Sequence, residues 1–387
     1  MKAGSTRRQP VLGILGGGQL ARMLALAAAP LGVNTLVVDS APDACAGQVV
    51  PLRLADWADY AALEKFAAEV DVVTFDFENV PAETAHWLAE RVAVFPDPRA
   101  LAVAQDRLAE KTLFRECGLE TPAFEAVDTR ADLDRALATI GTPAILKTRR
   151  LGYDGKGQFR IKQPSDADAA WGALGAQADA HGLILEAFVP FDRELSVLAV
   201  RARDGDFRIW PLTQNWHTDG VLSFSLAPAF DVGALQARAE ELARILAERL
   251  GYVGVFALEL FVKDGQLLGN EMAPRVHNSG HWTIEGAIAS QFENHVRAVL
   301  GLPLGSTAVR GLSAMFNWIG ELPDATSVLK TVDAHWHDYG KQPRPGRKVG
   351  HATVCAKEAR ELASRIDEVA RALKREDQAL PALKVLG

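Results

Sequence analysis

The stretch Val253-Gly254-Val255-Phe256-Ala257-Leu258-Glu259-Leu260-Phe261-Val262 carries a single charge, Glu259. A strand this apolar on both faces belongs inside a covered sheet. A carboxylate there has to be neutralised, paired or bound to a metal. Lys263-Asp264-Gly265 returns the chain into Gln266-Leu267-Leu268-Gly269-Asn270-Glu271, and the hairpin register decides where the second acid points. With Asp264-Gly265 as a two-residue turn, Glu259 faces Asn270 and Glu271 points away. With a Lys263-Asp264-Gly265 loop and Gly265 left-handed at a bulge, Glu259 opposes Gly269 and Glu271 joins it diagonally on one face. The second register is the expected one. Two carboxylates that close repel unless a hard cation lies between them, and oxygen ligands with water and phosphate suit Mg²⁺.

A second hairpin is read over residues 144–162. Its first strand, Ala144 to Thr148, is apolar except for Lys147, and Gln158-Phe159-Arg160-Ile161 alternates on the return. A lysine in an apolar strand either snorkels to water or meets an anion. Between the strands Gly152, Gly155 and Gly157 allow close backbone approach, and Lys156 adds a cation. This suits a flap over phosphates; the alternative is a solvent-facing hairpin. A P-loop is excluded, because Gly157-Gln158 leads into a strand where that motif needs Lys-Ser/Thr and a helix.

Residues 10–100 alternate strand and helix, as a parallel α/β sheet does. Gly16-Gly17-Gly18-Gln19-Leu20-Ala21 fits the dinucleotide fingerprint, with Asp39 ending the second strand. Glycines at a helix N-terminus also offer amides to any phosphate. Glu78, beyond the third strand, is read either as a substrate contact or as a helix cap. Pro96-Asp97-Pro98 marks a boundary.

Next come predicted helices over Arg99 to Cys117 and near 166–179, then the strand Leu183-Ile184-Leu185-Glu186. Glu186, the linker Ala187-Phe188-Val189-Pro190 and Glu194 at the head of the next strand can read an adenine edge and a ribose diol, or form a plain loop with solvated acids. Helix Val232 to Leu250 leads into the Glu259 strand. Behind Glu271, the loop Ala273-Pro274-Arg275-Val276-His277-Asn278-Ser279-Gly280-His281-Trp282 is dense in donors that can surround a small oxyanion. The basic string Arg344 to His351 reads either as a solvated turn or as a phosphate site. A closing helix carries the stripe Leu362, Ile366, Val369 and Leu373.

At 387 residues the chain is expected to form two or three domains, and 48% hydrophobic with 24% charged residues fits a globular enzyme. A net charge of −7 gives no field to draw nucleic acid or anionic membrane, so small-molecule partners are expected. Cys45, Cys117 and Cys355 are far apart without metal spacing and read as core thiols of a reducing compartment. Neither a signal-peptide core nor a bilayer span is read, and a cytoplasmic setting is expected.

In this order, the glycine-loop domain, Lys147 with its flap, Glu186 to Glu194, and Glu259 with Asn270-Glu271 resemble the ATP-grasp superfamily. Gly16-Gly17-Gly18-Gln19-Leu20, Gly152-Tyr153-Asp154-Gly155-Lys156-Gly157-Gln158, Arg275 to Trp282 and Arg344-Pro345-Gly346-Arg347-Lys348-Val349-Gly350-His351 are similar, more narrowly, to the 5-(carboxyamino)imidazole ribonucleotide synthase family of purine biosynthesis. The resemblance runs from about Pro10 to the C-terminus. It implies an α/β and α+β fold: a Rossmann-like pre-ATP-grasp domain over 1–98, an ATP-grasp domain over 99–305 and a small C-terminal domain over 306–387. The implied enzyme is an ADP-forming carbon-nitrogen ligase and a homodimer, in which ATP and bicarbonate give carboxyphosphate and the amine of aminoimidazole ribonucleotide is carboxylated.

The resemblance also implies roles. Arg107 and Lys147 meet the ATP phosphates under the flap of Gly152, Tyr153, Asp154, Gly155, Lys156, Gly157 and Gln158. Glu186, Ala187, Phe188 and Val189 read adenine, and Glu194 holds the ribose with His217 nearby. Glu259 and Glu271 bind Mg²⁺ with Asn270 beside them, and Arg275, His277 and Asn278 hold bicarbonate. Gly18, Gln19, Glu78, Tyr153, Lys156, Arg344, Arg347 and Lys348 frame the ribonucleotide, and Asp154 draws the amine proton. Lys156 departs from the arginine of many relatives and loses its bidentate fork. The competing readings are a formate-dependent glycinamide ribonucleotide transformylase, an NAD-dependent dehydrogenase resting on the Gly16 turn and Asp39, and a nucleotide-binding regulator without turnover.

Overall fold

Strands buried on both faces need helices on both sides, and the N-terminal quarter supplies them. The structure, a computed structural model, describes residues 8–152 and 157–387. β1 (Val11–Leu15), α1 (Gln19–Ala28), β2 (Asn34–Asp39), β3 (Leu52–Leu54), α2 (Tyr60–Glu69), β4 (Val72–Phe75), α3 (Ala82–Ala89) and β5 (Ala93–Val94) follow one another. Their five-stranded parallel sheet has the order β3-β2-β1-β4-β5. Strand order reverses on either side of β1, so the loops after β1 and β4 open side by side at the sheet's carboxyl edge, where α/β sheets bind ligands. Those loops hold Gly16 to Gln19 and Asp76 to Glu78.

The single helix expected over Arg99 to Cys117 is two helices, α4 (Pro98–Ala104) and α5 (Arg107–Glu116). Asp106 breaks it: with φ −125° its backbone is extended, and its carboxylate accepts from the Leu108 and Ala109 amides. The break starts a new helix at Arg107.

A four-stranded antiparallel sheet follows, built from β6 (Phe124–Val127), α6 (Arg130–Ile140), β7 (Ala144–Thr148), β8 (Gln158–Ile161), α7 (Ala167–Leu174), α8 (Ala178–His181) and β9 (Leu183–Ala187), in the order β6-β9-β7-β8. The helix predicted near 166–179 is split into α7 and α8 by a 3₁₀ turn at Gly175–Gln177. There the glycine lies against the Trp171 indole, 2.7 Å from where a Cβ would stand.

The remaining chain supplies β10 (Arg193–Arg201), β11 (Phe207–Ile209), β12 (Thr213–Thr218), β13 (Val221–Ala227), α9 (Ala234–Arg249), β14 (Gly254–Lys263), β15 (Gln266–Ala273), α10 (Thr283–Gly286), α11 (Gln291–Leu300), β16 (Leu312–Ile319), α12 (Ala325–Leu329), β17 (Ala334–Asp338), β18 (Lys348–Ala356), α13 (Ala359–Leu373) and α14 (Glu376–Leu386). These strands form one antiparallel sheet, β15-β14-β10-β12-β13-β16-β18-β17, with β11 beside β10. The sheet runs unbroken past residue 305, since β13 pairs with β16 and β16 with β18. The stripe of α13 buries Leu362, Ile366 and Val369 against this last part.

The first sheet is fastened to the large one through a shared apolar core. Leu20, Met23 and Leu24 of α1 belong to the same cluster as Phe292, Val296 and Val299 of α11. A polar link passes through it: the Thr74 hydroxyl meets His295 Nε2 at 2.7 Å, while His295 Nδ1 accepts the Val255 amide at 3.0 Å. Among the described residues no helix is long and apolar enough to cross a membrane.

The β14–β15 hairpin corrects the expected register. Its turn is the two-residue Asp264-Gly265, both with positive φ (51° and 74°), and Lys263 pairs with Gln266. Leu260 opposes Gly269, but a bulge then lets Asn270 drop out of the ladder, and Glu259 opposes Glu271 directly. The bulge sits beside the acids instead of at the turn, and it brings both carboxylates to one face.

Candidate active site

The N-terminus of α5 enters the site first. Arg107 donates to Glu271 Oε2 at 3.1 Å and reaches Gly152 O at 3.5 Å. One turn on, Lys111 is wholly buried, donates to Asn270 O at 3.0 Å and lies 3.3 Å from Glu186 Oε2. Lys147, on β7, reaches the same oxygen at 2.9 Å because β7 and β9 pair side by side. The apolar-strand lysine therefore meets an anion, as its burial demanded. Burial alone would raise the Glu186 pKa, yet Lys147, Lys111 and Arg107 bring it down to about 2. Its other oxygen, Oε1, is buried without a partner among the described residues. An ionised acceptor left open in this way fits an incoming donor such as an adenine amino group.

Glu110 lies on the same face of α5, where burial with the nearby Glu271 charge pushes its pKa up to about 8. It accepts the Met272 amide at 2.7 Å and so docks α5 on β15 beside Glu271. Lys111 and Glu110 escape the sequence reading; the signal was their one-turn spacing from Arg107, which puts all three on one helix face.

Glu194 and His217 are brought together by β10–β12 pairing, with His217 Nδ1 2.7 Å from Glu194 Oε2. Burial opposes charge on His217, but the hydrogen bond to Glu194 and the charges of Glu259, Glu194 and Glu271 raise its pKa. The two acids of the hairpin have different partners: Glu271 pairs with Arg107, and Glu259 meets His277 Nε2 at 3.0 Å. Against burial, His277, His217 and Lys348 lower the Glu259 pKa to about 2. Two carboxylates opposed on one face fit a hard divalent cation. Among the described residues no group of three or more His, Cys, Asp or Glu could hold a metal alone, so other oxygens have to complete such a site.

Beyond Glu259 lies the donor loop. Arg275 Nε donates to Glu78 Oε2 at 2.5 Å and its Nη1 to Val276 O at 3.0 Å, which joins the β4 loop to the β15 loop. Burial opposes the Glu78 charge, but Arg275 wins and holds the carboxyl below its usual range. Asn278 is turned away: its amide is engaged at both ends by Asn317, at 3.0 and 2.6 Å. Expected to hold an oxyanion directly, it instead braces the loop against β16. Lys348, the first residue of β18, comes close enough to act on Glu259 from the last third of the chain.

The glycine loop does not present a dinucleotide site. Asp39 spends its carboxylate on the Gly17 and Ala41 amides at 2.6 and 2.8 Å. Asp76 takes the Ala21 amide at 2.9 Å, and a Cβ on Gly16 or Gly18 would stand 2.4 or 2.8 Å from its oxygens. Burial pushes the Asp76 pKa up to about 6. Gln19 accepts from Lys341 Nζ, a cation the sequence reading passed over, and Gln48 donates to Gly340 O at 2.8 Å. These contacts bring the 340s to the N-terminal loops. Arg347 donates to Gln342 O at 3.1 Å and Arg344 stays on the exposed turn. Ala187, Phe188 and Val189 leave β9 partly exposed, Gly157 and Gln158 open β8, and Tyr153, Asp154, Gly155 and Lys156 lie outside the described residues.

A cavity of about 540 Å³ lies elsewhere, lined by Val103, Leu108, Leu113 and three arginines. Those arginines, Arg99, Arg149 and Arg249, are matched by Asp97, Asp106 and Glu116, and none of the groups described above opens into it.

Three family models match the chain: a ribonucleotide synthetase preATP-grasp domain at residues 10–105, an ATP-grasp domain at 112–292 and a phosphoribosylaminoimidazole carboxylase C-terminal domain at 313–365. The N5-carboxyaminoimidazole ribonucleotide synthase of Pseudomonas aeruginosa is 54% identical over 359 residues, covering 92% of this chain and 98% of that one. The crystal structure of the synthetase from Thermus thermophilus superposes with a TM-score of 0.89 at 53% identity, covering 94% and 98% of the two chains. The Aspergillus clavatus enzyme, crystallised with ADP and 5-aminoimidazole ribonucleotide, gives 0.86 at 32% identity and covers 95% and 99%.

Proposed function

The chain belongs to the N5-carboxyaminoimidazole ribonucleotide synthase family of ATP-grasp ligases, and we propose how its residues divide the work of ATP- and bicarbonate-dependent carboxylation of 5-aminoimidazole ribonucleotide. Bicarbonate is a poor electrophile, so one of its oxygens attacks the γ-phosphorus of ATP and ADP leaves. The amine nitrogen of the ribonucleotide then attacks the carbon of the carboxyphosphate and phosphate leaves. The observation that carries this reading is the row of charges along one face: Arg107, Lys111 and Lys147 on one side of the Glu259–Glu271 pair, His277 and Lys348 on the other. An ATP tail, a metal and a small oxyanion would thereby lie within reach of one another, which is what transfer of the γ-phosphoryl group to bicarbonate needs.

In this reading Arg107 and Lys147 orient the phosphates, and Glu186 with Ala187, Phe188 and Val189 receives adenine. Glu194 takes the ribose with His217 behind it. Glu259 and Glu271, with Asn270 beside them, would hold Mg²⁺, which when bound would neutralise phosphate charge. Arg275 and His277 hold bicarbonate, with Asn278 bracing them. Gly18, Gln19, Glu78, Arg344, Arg347 and Lys348 frame the ribonucleotide, and Lys341 joins them through Gln19. Asp154 takes the amine proton, and the flap excludes water from the carboxyphosphate. Three domains over 1–98, 99–305 and 306–387, a homodimer and a cytoplasmic setting complete the proposal.

The transformylase reading is separated by the small acid used. With Mg²⁺, ATP and aminoimidazole ribonucleotide, ADP and the carbamate product should form with bicarbonate and hardly at all with formate; equal turnover with formate, or with glycinamide ribonucleotide, overturns the proposal.

A further inference from the structure

The donor loop that carries His277 is held from below by Gln291, the first residue of α11 and wholly buried. Its carboxamide meets the His277 peptide as a partner strand would. Gln291 Oε1 accepts the His277 amide at 2.9 Å, and Nε2 donates to the His277 carbonyl at 2.6 Å. The same Nε2 lies 3.1 Å from His281 Nδ1, so the carboxamide spans the loop from His277 to His281. The Gln291 amide donates to Thr283 Oγ1 at 2.9 Å, and that hydroxyl donates to Gly280 O at 2.6 Å. Gly280 is the residue that admits this packing, since a Cβ there would stand 2.6 Å from Gln291 Oε1.

The effect is on the imidazole. With its backbone extended at φ −125° and ψ 152°, His277 directs Nε2 to Glu259 at 3.0 Å, while Nδ1 meets the Ser279 hydroxyl at 2.9 Å. The helix that holds the peptide is itself fixed, because Phe292, Val296 and Val299 sit in the core shared with α1. An apolar side chain would fill this buried site without the desolvation cost of an amide. The amide earns its place by matching one particular peptide.

We infer that Gln291 is the positioning residue of the oxyanion clamp, touching no reactant and setting the place of the His277 imidazole by holding both hydrogen-bonding groups of that peptide. The inference rests on the bicarbonate role given to His277 above, and its test is separable from that role, because product formation by the unaltered protein is measured first.

Gln291→Met keeps length and volume but removes both hydrogen bonds; Gln291→Glu keeps the shape but sets an oxygen against the His277 carbonyl. Each should raise the KM for bicarbonate by roughly tenfold or more while the KM for ATP stays within about twofold. Acting through His277, Gln291→Met should cost little further kcat/KM for bicarbonate once His277→Ala is present. Hydrogen exchange on the unaltered protein should find the His277 amide strongly protected for a loop. Unchanged bicarbonate kinetics, a parallel rise in both KM values, full additivity in the double variant, or a His277 amide exchanging at exposed-loop rates would each overturn the inference. If neither variant folds, the exchange measurement decides.

Discussion

At the residue scale, the site holds acids paired with cations and acids whose proton is bound more tightly because of burial, and each kind makes a different prediction. Glu259 and Glu271 belong to the first kind. Glu271→Gln or Glu259→Gln removes one of the two opposed carboxylate charges while preserving shape. Loss of several kcal/mol of charge stabilisation at the transition state should lower turnover by on the order of a hundredfold or more. The apo protein should melt within a few degrees of the parent; a much lower melting point with normal turnover would make the acids structural. Asp76 belongs to the second kind. Its pKa is raised by burial from 3.8 to about 6, so the native state binds the proton more tightly than the unfolded chain. The corresponding stability is present below about pH 4 and lost as pH rises through 6, a change of roughly 3 kcal/mol at most. Asp76→Asn keeps an acceptor for the Ala21 amide and does not titrate. Its stability relative to the parent should therefore be greater at pH 8 than at pH 4.5 in urea titrations. An equal difference at both pH values would mean that burial does not govern this carboxyl.

At the scale of elements, α5 and the β14–β15 hairpin assemble the charged row between them. A helix that starts afresh at Asp106 sends Arg107, Glu110 and Lys111 from one face to Glu271, the Met272 amide and Asn270. Lys111 makes the tether to the bulge, donating to the very carbonyl that leaves the ladder. Lys111→Met should remove this tether and one of the three cations around Glu186. Stability should fall by on the order of 3 kcal/mol, as for a buried ion pair broken on one side. ATP affinity should fall with it, because Arg107 and Lys147 adjoin the same carboxylate. Equilibrium unfolding together with nucleotide titration checks this, and a stability loss under about 1 kcal/mol would mean that Lys147 and Arg107 satisfy Glu186 without Lys111.

At the scale of the whole molecule, the site exists because distant parts of the chain meet. Glu78 from the first sheet pairs with Arg275 after the last strand of the hairpin, Lys341 with Gln19, and Lys348 approaches Glu259. The electrostatic approach of Lys348 to Glu259 supports a specific outcome for ligand binding. Lys348→Ala should weaken aminoimidazole ribonucleotide by about 1.5–3 kcal/mol, the worth of a charged hydrogen bond, with ATP affinity nearly unchanged. Calorimetric titration of each ligand decides it, and unaltered ribonucleotide affinity with unaltered turnover would remove Lys348 from the proposed site.

Local chemistry made a good deal of this legible in advance. The parallel first domain, both hairpins and the need for a partner at Lys147 follow from hydrophobic period and from the cost of burying charge. Strings such as Arg344 to His351 pointed to the family through resemblance alone. The sequence by itself did not decide the hairpin register. A tight positive-φ turn and a bulge five residues away produce the same facing acids as the looser turn expected, and only ladder hydrogen bonding chooses between them. Nor did it reveal Lys111, Lys341 or Gln291. Each is an ordinary polar residue in its own segment, and its partner stands between 14 and more than 300 positions away. Burial and hydrogen bonding between segments are properties of the packed chain, and they appear only once α5, α11 and the 340s have been brought against the strands they serve.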